Sequence, residues 1–296
     1  MPWPESIYES PEDGVFQRLR AVHRSYHQTR HEANTPDPPE GFPAVYGIAP
    51  DPEWSRLDVR RVILATRPAG AFAQYDITEY AFPMESYAVV DLVDAVYNHP
   101  DGLADFEPFR VDVPRHREFF VCTHGSVDIC CARYGVPLYR QARAAYPAVR
   151  AWRTMHFGGH RYAPTAWEFP SGYKWAFLDE AAAHLVIDRG ETQDLERKIR
   201  GWSGVPQHVQ ILDRAGFLSH GWDWLAFERR GEILEQDEES GRWRVRLHFR
   251  SPAGRQGTYD ATVEVAREFQ SVGCGREWGE YDFTVNEYAM ESFAES

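Results

Sequence analysis

Two short segments in the middle of the chain hold closely spaced cysteines and histidines, and they constrain the fold more than any other feature. Cys122 ends an apolar run (EFFVC), and Cys131 follows nine residues later. His156 and His160 stand four residues apart with a Gly-Gly pair between them, which lets the backbone approach closely. Two thiolates and two imidazoles make a plausible four-ligand metal site. The fold is therefore expected to bring the two segments to one point.

The spacing of these four residues does not determine which metal they would bind. Zinc accepts two cysteines and two histidines as a tetrahedral site. A [2Fe-2S] cluster accepts the same set when one iron binds both cysteines and the other both histidines, as in Rieske centres. The paired cysteines of zinc fingers usually lie about two to four residues apart, so the nine-residue step is long for a finger. Spacing alone favours neither metal strongly.

The residues around the four ligands resemble a known family. The segments FVCTHGSVDICCARYGVPLY and VRAWRTMHFGGHRYAPTAWEFPSGYKWAFL, then RGWSGVPQHVQILDR and GWDWL, are similar to the sucrase/ferredoxin-like family. That family is similar to the thioredoxin-like [2Fe-2S] ferredoxins. The resemblance runs from about Phe119 to Leu225, and CTHGxxDxCC followed by HxGGHRxAPT is its specific signature. No paired carboxylates could be assigned to glycoside hydrolysis, so "sucrase" carries little weight.

The resemblance implies a cofactor, its ligands and a function. It implies a [2Fe-2S] cluster held by Cys122, Cys131, His156 and His160, although some relatives have Asp in place of the second histidine. The expected function is electron transfer with a protein redox partner of unknown identity, rather than enzymatic catalysis. The alternative is a zinc-binding interaction protein that uses the same ligands. A thiol oxidoreductase using the adjacent cysteines is expected least, because the chain has no C-x-x-C motif.

Residues beside the ligands are predicted to adjust the site. Thr123 and Asp128 are candidate hydrogen-bond partners of the ligands, and Arg161 and Arg153 are candidates for tuning the potential or docking a partner. A histidine ligand can lose a proton while bound, and reduction favours keeping that proton. Reduction is therefore expected to be proton-coupled, with a potential that falls as pH rises.

The two other cysteines are predicted to be structural. Cys130 lies next to Cys131 and cannot easily reach the same metal, so it is expected to be a small buried hydrophobe. Cys274 lies between two glycines, which indicates a turn. Four cysteines with two adjacent make a poor disulfide framework, which favours a reducing cytoplasm.

Three further histidines share one face of a predicted helix. His23, His27 and His31 follow at steps of four residues, which places them on one side of a helix from Val15 to about Glu32. A solvated or partly packed face is favoured over a second metal site, because a single short helix supplies all three. His124 is left without a predicted role.

The hydrophobic pattern predicts an α/β fold. Glu118 to Cys122 and Val149 to Thr154 are predicted strands that flank a helix from Gly135 to Tyr146, and a hairpin turns at Pro170-Ser171-Gly172. Further along, Thr192 to Trp202 is predicted as a helix, and Trp243 to Phe249 is predicted to pair with Thr258 to Val265 as an antiparallel hairpin.

These elements predict four regions. One is a thioredoxin-like ferredoxin domain, and the others are α+β additions at its two ends. Residues 1–45 form a helical and Pro-rich extension, and residues 46–117 form an α/β segment. Residues 118–230 form the ferredoxin domain with a helical extension. Residues 231–296 supply antiparallel strands packed on the same body.

Charge and hydropathy narrow the range of partners. The formal net charge is −13, which disfavours nucleic acid and anionic membrane surfaces as partners. No apolar run reaches the roughly 18 residues of a membrane span. The acidic, Pro-rich start lacks the features of a secretory signal. A cytoplasmic protein is expected.

Overall fold

The computed structural model describes residues 14–33, 35, 43–114, 116–147, 149–280 and 282–296, apart from the side chain of His160. The α-helices of the described residues are α1 (Gly14–Glu32), α2 (Ala88–Asn98), α3 (Ile129–Ala145), α4 (Glu180–Ile187) and α5 (Gln210–His220). The strands are β1 (Val59–Thr66), β2 (Asp76–Pro83), β3 (Arg117–Cys122), β4 (Val149–Thr154), β5 (Ala166–Phe169), β6 (Tyr173–Trp175), β7 (Ile199–Trp202), β8 (Glu228–Asp237), β9 (Arg242–Arg250), β10 (Gln256–Val272) and β11 (Asp282–Glu295).

A five-stranded sheet in the order β4-β3-β5-β6-β7 forms the centre of the molecule. β3 and β4 are parallel and are connected through α3, whereas β5, β6 and β7 are added antiparallel. The register pairs Cys122 with Thr154, so the carboxyl ends of both strands lie at the same edge. The loops that follow these two strands are consequently neighbours, although about thirty residues separate them in sequence.

The hairpin of β1 and β2 packs with α1 and α2 around a smaller apolar core that includes Val15, Phe82 and Leu92. A buried ion cluster links this region to the central sheet. The guanidinium of Arg150 on β4 lies 2.7 Å from Glu79 of β2 and 2.5 Å from Glu118 of β3.

The last four strands form an antiparallel sheet in the order β11-β10-β9-β8. Side chains of β9 alternate strictly: Trp243, Val245, Leu247 and Phe249 are buried in the main core. The arginines that alternate with them face outward and pair with carboxylates of β8, β10 and β11. The predicted hairpin of β9 and β10 is confirmed.

A fully buried ion pair joins this C-terminal sheet to the central domain. Arg229 of β8 donates to Asp213 of α5 at 2.8 Å, and both side chains are 0% exposed. The Asp213 carboxylate also accepts hydrogen bonds from the Tyr173 hydroxyl at 2.5 Å and the Trp224 indole at 2.9 Å. The Arg229 guanidinium lies 3.9 Å from the ring centre of Trp202. Every charge in this cluster therefore has a buried partner.

The α/β class is confirmed, but two local predictions are wrong. α3 begins at Ile129 rather than Gly135, because the Asp128 carboxylate caps it by accepting a hydrogen bond from the Cys130 N–H. Residues 192–202 do not form one helix, because their last part is strand β7, paired with β6. The thioredoxin-like assignment and the four domain boundaries stay predictions.

A search of the described helices for a transmembrane segment finds none of sufficient length and hydropathy.

Candidate metal centre

The structure brings three of the four predicted ligands together. Cys122 ends β3, Cys131 lies in the first turn of α3, and His156 lies in the loop after β4. The Nδ1 atom of His156 is 3.7 Å from the Sγ atom of Cys122 and 3.6 Å from that of Cys131. The three ligand atoms lie within 4.8 Å of one another. Each cysteine is 1% exposed, so the group is a buried site of metal-ligating size.

Close approach of α3 to β3 makes this convergence possible. A Cβ atom at Gly135 would lie 2.0 Å from the carbonyl oxygen of Cys122. Only glycine therefore lets the helix pack against the strand end closely enough to set Cys131 beside Cys122.

The fourth predicted ligand, His160, has a side chain that lies outside the described residues, and its role stays a prediction. The backbone leading to it is described. Gly158 and Gly159 have φ angles of 87° and 72°, a region that favours glycine. They turn the chain after His156 and lead into a single 3-10 turn, His160–Tyr162.

The two thiols of the metal-free site share one proton unequally. The hydrogen bond from Cys131 lowers the pKa of Cys122 to about 5, against an opposing effect of burial. The same hydrogen bond, together with burial, raises the pKa of Cys131. A thiolate is the form that binds metal. The site therefore presents one thiolate near neutral pH, and a bound metal would replace the remaining proton.

This asymmetry can be measured in metal-free protein. We expect one equivalent of ultraviolet thiolate absorbance to develop near pH 5 and the second not to develop until well above the ordinary thiol pKa of 9.0. In the C131A variant, the pKa of Cys122 should move back toward that ordinary value, because alanine cannot donate the hydrogen bond that Cys131 donates. Two equivalents titrating together near 9.0 in the wild type would contradict the shared proton.

Two residues next to the ligands, His124 and Thr123, hold the backbone of the site in place through hydrogen bonds. His124 is 0% exposed, and its Nδ1 accepts a hydrogen bond from the His156 N–H at 3.3 Å. Burial lowers the pKa of His124, which favours the neutral ring with its proton on Nε2. Thr123 is buried, and its N–H donates to the Thr154 carbonyl at 3.2 Å, which joins the ends of β3 and β4. His124 thus positions His156, a role that the sequence did not indicate.

Asp128 and Arg161, the other predicted neighbours, contact the surroundings of the ligands. The Asp128 carboxylate accepts hydrogen bonds from the Cys130 and Cys274 N–H groups. The Arg161 guanidinium lies 4.5 Å from the ring centre of Tyr162. The predicted effect of Thr123, Asp128 and Arg161 on the metal ligands stays a prediction.

Arg200 lies beside the site, and Arg161 and Lys174 are close enough to Arg200 to interact with its charge. The sequence did not single out Arg200 or Lys174. Arg200 of β7 donates to the Gly158 carbonyl at 3.0 Å, and a Cβ atom at Gly159 would lie 2.5 Å from its guanidinium. Burial lowers the pKa of Arg200, while Cys122 and Cys131 attract its charge. Burial and the Arg200 charge lower the pKa of Lys174 to about 8.

Within the described part of the chain, none of Arg161, Lys174 and Arg200 forms an ion pair with a carboxylate. In a chain of net charge −13, a group of cations without carboxylate partners is an unusual local arrangement. The charge of Arg200 is attracted by Tyr162 and by Cys122 and Cys131 of the candidate site. No sequence motif marks Lys174 or Arg200, because their positions depend on how β6 and β7 pair.

The structure corrects one prediction about the remaining cysteines and brings two of the three N-terminal histidines together. Cys130 is not a free buried hydrophobe: it forms a disulfide with Cys274, which also corrects the expectation of a poor disulfide framework. His23 and His27 place their Nε2 atoms 3.2 Å apart on α1. Among the described side chains, no third potential ligand, His31 included, completes a metal-binding group with them.

The fold and this site define an α/β protein with a buried Cys-Cys-His group of metal-binding geometry. A family model described as sucrase/ferredoxin-like matches residues 1–201, more than half of the chain. The chain belongs to the sucrase/ferredoxin-like family. The matched region includes the four predicted ligands and Arg200, whereas the C-terminal sheet and Cys274 lie beyond it. No curated protein and no solved structure matches the chain significantly.

Proposed function

We propose that this protein transfers electrons through a [2Fe-2S] cluster bound by Cys122, Cys131, His156 and His160. The observation that carries the proposal is the convergence of two buried thiols and one imidazole at the shared edge of β3 and β4. The parallel β3-α3-β4 unit followed by the β5-β6 hairpin supports the thioredoxin-like arrangement that the family resemblance implies.

The donor chemistry fits such a cofactor. Thiolates select zinc and iron–sulfur clusters over hard cations, and imidazole suits both zinc and iron. Cys122 has a lowered pKa and is ready to bind as a thiolate. When bound, a [2Fe-2S] cluster would accept and release one electron.

The chain's own residues would favour the reduced state. Neutral imidazoles in place of two thiolates leave less negative charge at the site. The Arg200 guanidinium adds positive charge beside Cys122 and Cys131. Phe157 is buried beside both cysteines and Trp167 packs against them, which strengthens these electrostatic effects by excluding water.

Metal and sulfide analysis tests this proposal. Protein purified anaerobically should be red-brown, contain iron and acid-labile sulfide in equal amounts, and give a low-average-g paramagnetic signal on reduction. A colourless protein with stoichiometric zinc would instead establish the interaction-module alternative. A metal-free protein that turns over a disulfide substrate would overturn both.

Removal of the Arg200 charge should lower the midpoint potential. We expect the midpoint potential of R200Q to lie roughly 50 mV below that of the wild type. The reason is the loss of one partly screened positive charge at an effective dielectric of about 20. R200K keeps the charge and should stay closer to the wild-type value. The matched control is R250Q, which removes an arginine from an exposed ion pair on the C-terminal sheet and should leave the potential unchanged. Equal potentials in R200Q and wild type would contradict the role of Arg200.

Histidine ligation also predicts a pH-dependent potential. Reduction adds negative charge and raises the pKa of a ligand imidazole, so a proton is held more firmly in the reduced state. Between the oxidised-state and reduced-state pKa values, the potential should fall by about 59 mV per pH unit. Potentiometric titration across the alkaline range measures this slope. A flat profile would count against titrating histidine ligands.

The remaining aspects of the proposal concern partners and location. The proposed partner is a protein that exchanges single electrons, rather than nucleic acid or membrane, both of which the net charge of −13 disfavours. A cytoplasmic location is part of the same proposal.

A further inference from the structure

A second pair of cysteines lies beside the candidate metal centre and has no part in the proposed function. Cys130 and Cys274, 144 residues apart in sequence, form a disulfide. Cys130 belongs to the first turn of α3 and is the chain neighbour of Cys131, whereas Cys274 lies in the loop between β10 and β11. Both cysteines are partly exposed, so thiols in solution can reach this bond.

A buried carboxylate holds the two half-cystines together independently of the sulfur–sulfur bond. Asp128 is 4% exposed, and it accepts hydrogen bonds from the Cys130 N–H at 2.8 Å and the Cys274 N–H at 2.9 Å. These hydrogen bonds involve backbone atoms and need no disulfide. After reduction they would keep the two thiols close to each other, which favours reformation of the bond.

The disulfide anchors the tip of a segment that extends beyond the four-stranded part of the C-terminal sheet. The pairing of β9 with β10 ends at Glu264, whereas β10 continues to pair with β11 as far as Val272. Residues 265–272 and 282–288 therefore form a two-stranded ribbon, called here the C-terminal arm. Several of its side chains are exposed, and an isolated two-stranded ribbon is marginally stable in water. Its tip is fixed to α3 by the disulfide and by Asp128.

We propose that Cys130–Cys274 is a reversible dithiol–disulfide site whose redox state determines how firmly the C-terminal arm is held to α3. The arm is held covalently in the oxidised state and by the Asp128 hydrogen bonds alone in the reduced state. The reactant that it takes is a dithiol of the kind that maintains cytoplasmic thiols. In a reducing compartment, disulfides that do form are usually transient, catalytic or redox-sensing. The site is separate from the candidate metal centre, although Cys130 and Cys131 are adjacent in sequence.

A dithiol reduces the Cys130–Cys274 disulfide in two exchange steps. A thiolate of the reductant attacks one sulfur of the disulfide, forms a mixed disulfide and releases the other cysteine as a thiolate, which takes up a proton. The second thiolate of the reductant then attacks the mixed disulfide and releases the second cysteine, which is also protonated. The protein gains two electrons and two protons, and the dithiol leaves as its own disulfide.

Thiol trapping on the intact, folded chain tests whether the site is reversible. The oxidised protein should yield a Cys130–Cys274 cross-linked peptide under non-reducing conditions. Equilibration with mixtures of reduced and oxidised dithiothreitol, followed by alkylation and mass spectrometry, should label both residues together. A reduced sample that is reoxidised before alkylation should be labelled at neither residue. Labelling that occurs only after the protein unfolds, or a missing cross-link in the oxidised protein, would overturn the proposal.

Limited proteolysis tests the effect on the C-terminal arm. Trypsin should cut after the exposed Arg267 and Arg276 about tenfold faster in reduced than in oxidised wild-type protein. The C130S/C274S variant should show the faster rate with and without reductant. Equal rates in oxidised and reduced wild type would overturn the proposal, as would a reductant effect that persists in the double variant.

These measurements do not depend on the metal. Thiol trapping and proteolysis can be repeated on metal-free protein, so they test the disulfide site whether or not a cluster binds. Metal and sulfide analysis tests the iron–sulfur proposal separately. If the double variant does not fold, the comparison of oxidised and reduced wild type decides the question by itself.

Discussion

Cys131→Ser is expected to reduce the metal content of the purified protein below about a tenth of the wild-type value. Cys131 supplies one of two thiols in a buried group, and a serine hydroxyl is a poor ligand for iron–sulfur clusters or zinc. The neighbouring Cys130 cannot substitute, because its sulfur lies with Cys274 and Asp128 rather than with Cys122 and His156. Iron, sulfide and zinc analysis with the visible spectrum provides the measurement.

The matched control for this variant is C274S. It also removes one cysteine sulfur but leaves all three described ligands in place, so full metal content is expected. A C131S protein with wild-type metal content would show that Cys131 is not a ligand. A C274S protein that loses its metal would show instead that the disulfide is required to form the site.

The largest expected effect on stability is at Asp213. Asp213→Ala leaves the Arg229 guanidinium fully buried without its counter-charge, and removes the acceptor for the Tyr173 hydroxyl and the Trp224 indole. Removal of one partner from a buried ion pair typically costs about 3–5 kcal/mol. We expect the free energy of unfolding to fall by about that amount, as measured by urea denaturation.

Glu235→Ala provides the comparison for D213A. Glu235 pairs with Arg244 on the outer face of the C-terminal sheet, and both side chains are more than half exposed. Such pairs contribute about 0–1 kcal/mol. A D213A effect as small as that of E235A would mean that water enters the cluster and that the pair does not join the C-terminal sheet to the central domain.

Buried charge has a different role in each part of the molecule. Around Asp213 and around Glu118, every buried carboxylate has a buried or half-buried arginine partner, which fixes how two layers pack. At the candidate metal centre, Arg200 has no carboxylate partner among the described residues and lies instead near two thiols. The clusters around Asp213 and Glu118 therefore stabilise the fold, whereas Arg200 would supply positive charge to the candidate metal centre.

Much of the site could be read from local sequence. A cysteine after an apolar strand, a second cysteine nine residues on, and two histidines around Gly-Gly predicted a shared metal site, and the structure brings Cys122, Cys131 and His156 together. The β5-β6 hairpin followed from a turn signal, and β9 paired with β10 followed from strict alternation. These features are local, because a few neighbouring residues determine each one.

Other features depend on contacts between distant residues. Local periodicity predicted a helix over residues 192–202, but the end of that segment pairs with β6, and the gain from completing the sheet exceeds its helical preference. The arrangement that places Arg200 at the thiols depends on the same strand pairing. The start of α3 depends on the helix cap at Asp128. The sequence predicts Asp128 as a hydrogen-bond partner of the metal ligands and not as the residue that begins a helix.

The sequence by itself determined the α/β class and predicted that Cys122, Cys131 and His156 come together, because strand endings and ligand spacing are properties of short segments. Only the tertiary structure decided that Cys130 pairs with Cys274 and that Arg200 faces the thiols. Each of these depends on segments that are far apart in sequence and adjacent only after the sheets have packed. No local pattern specifies such pairs, since their energy is gained only in the folded chain.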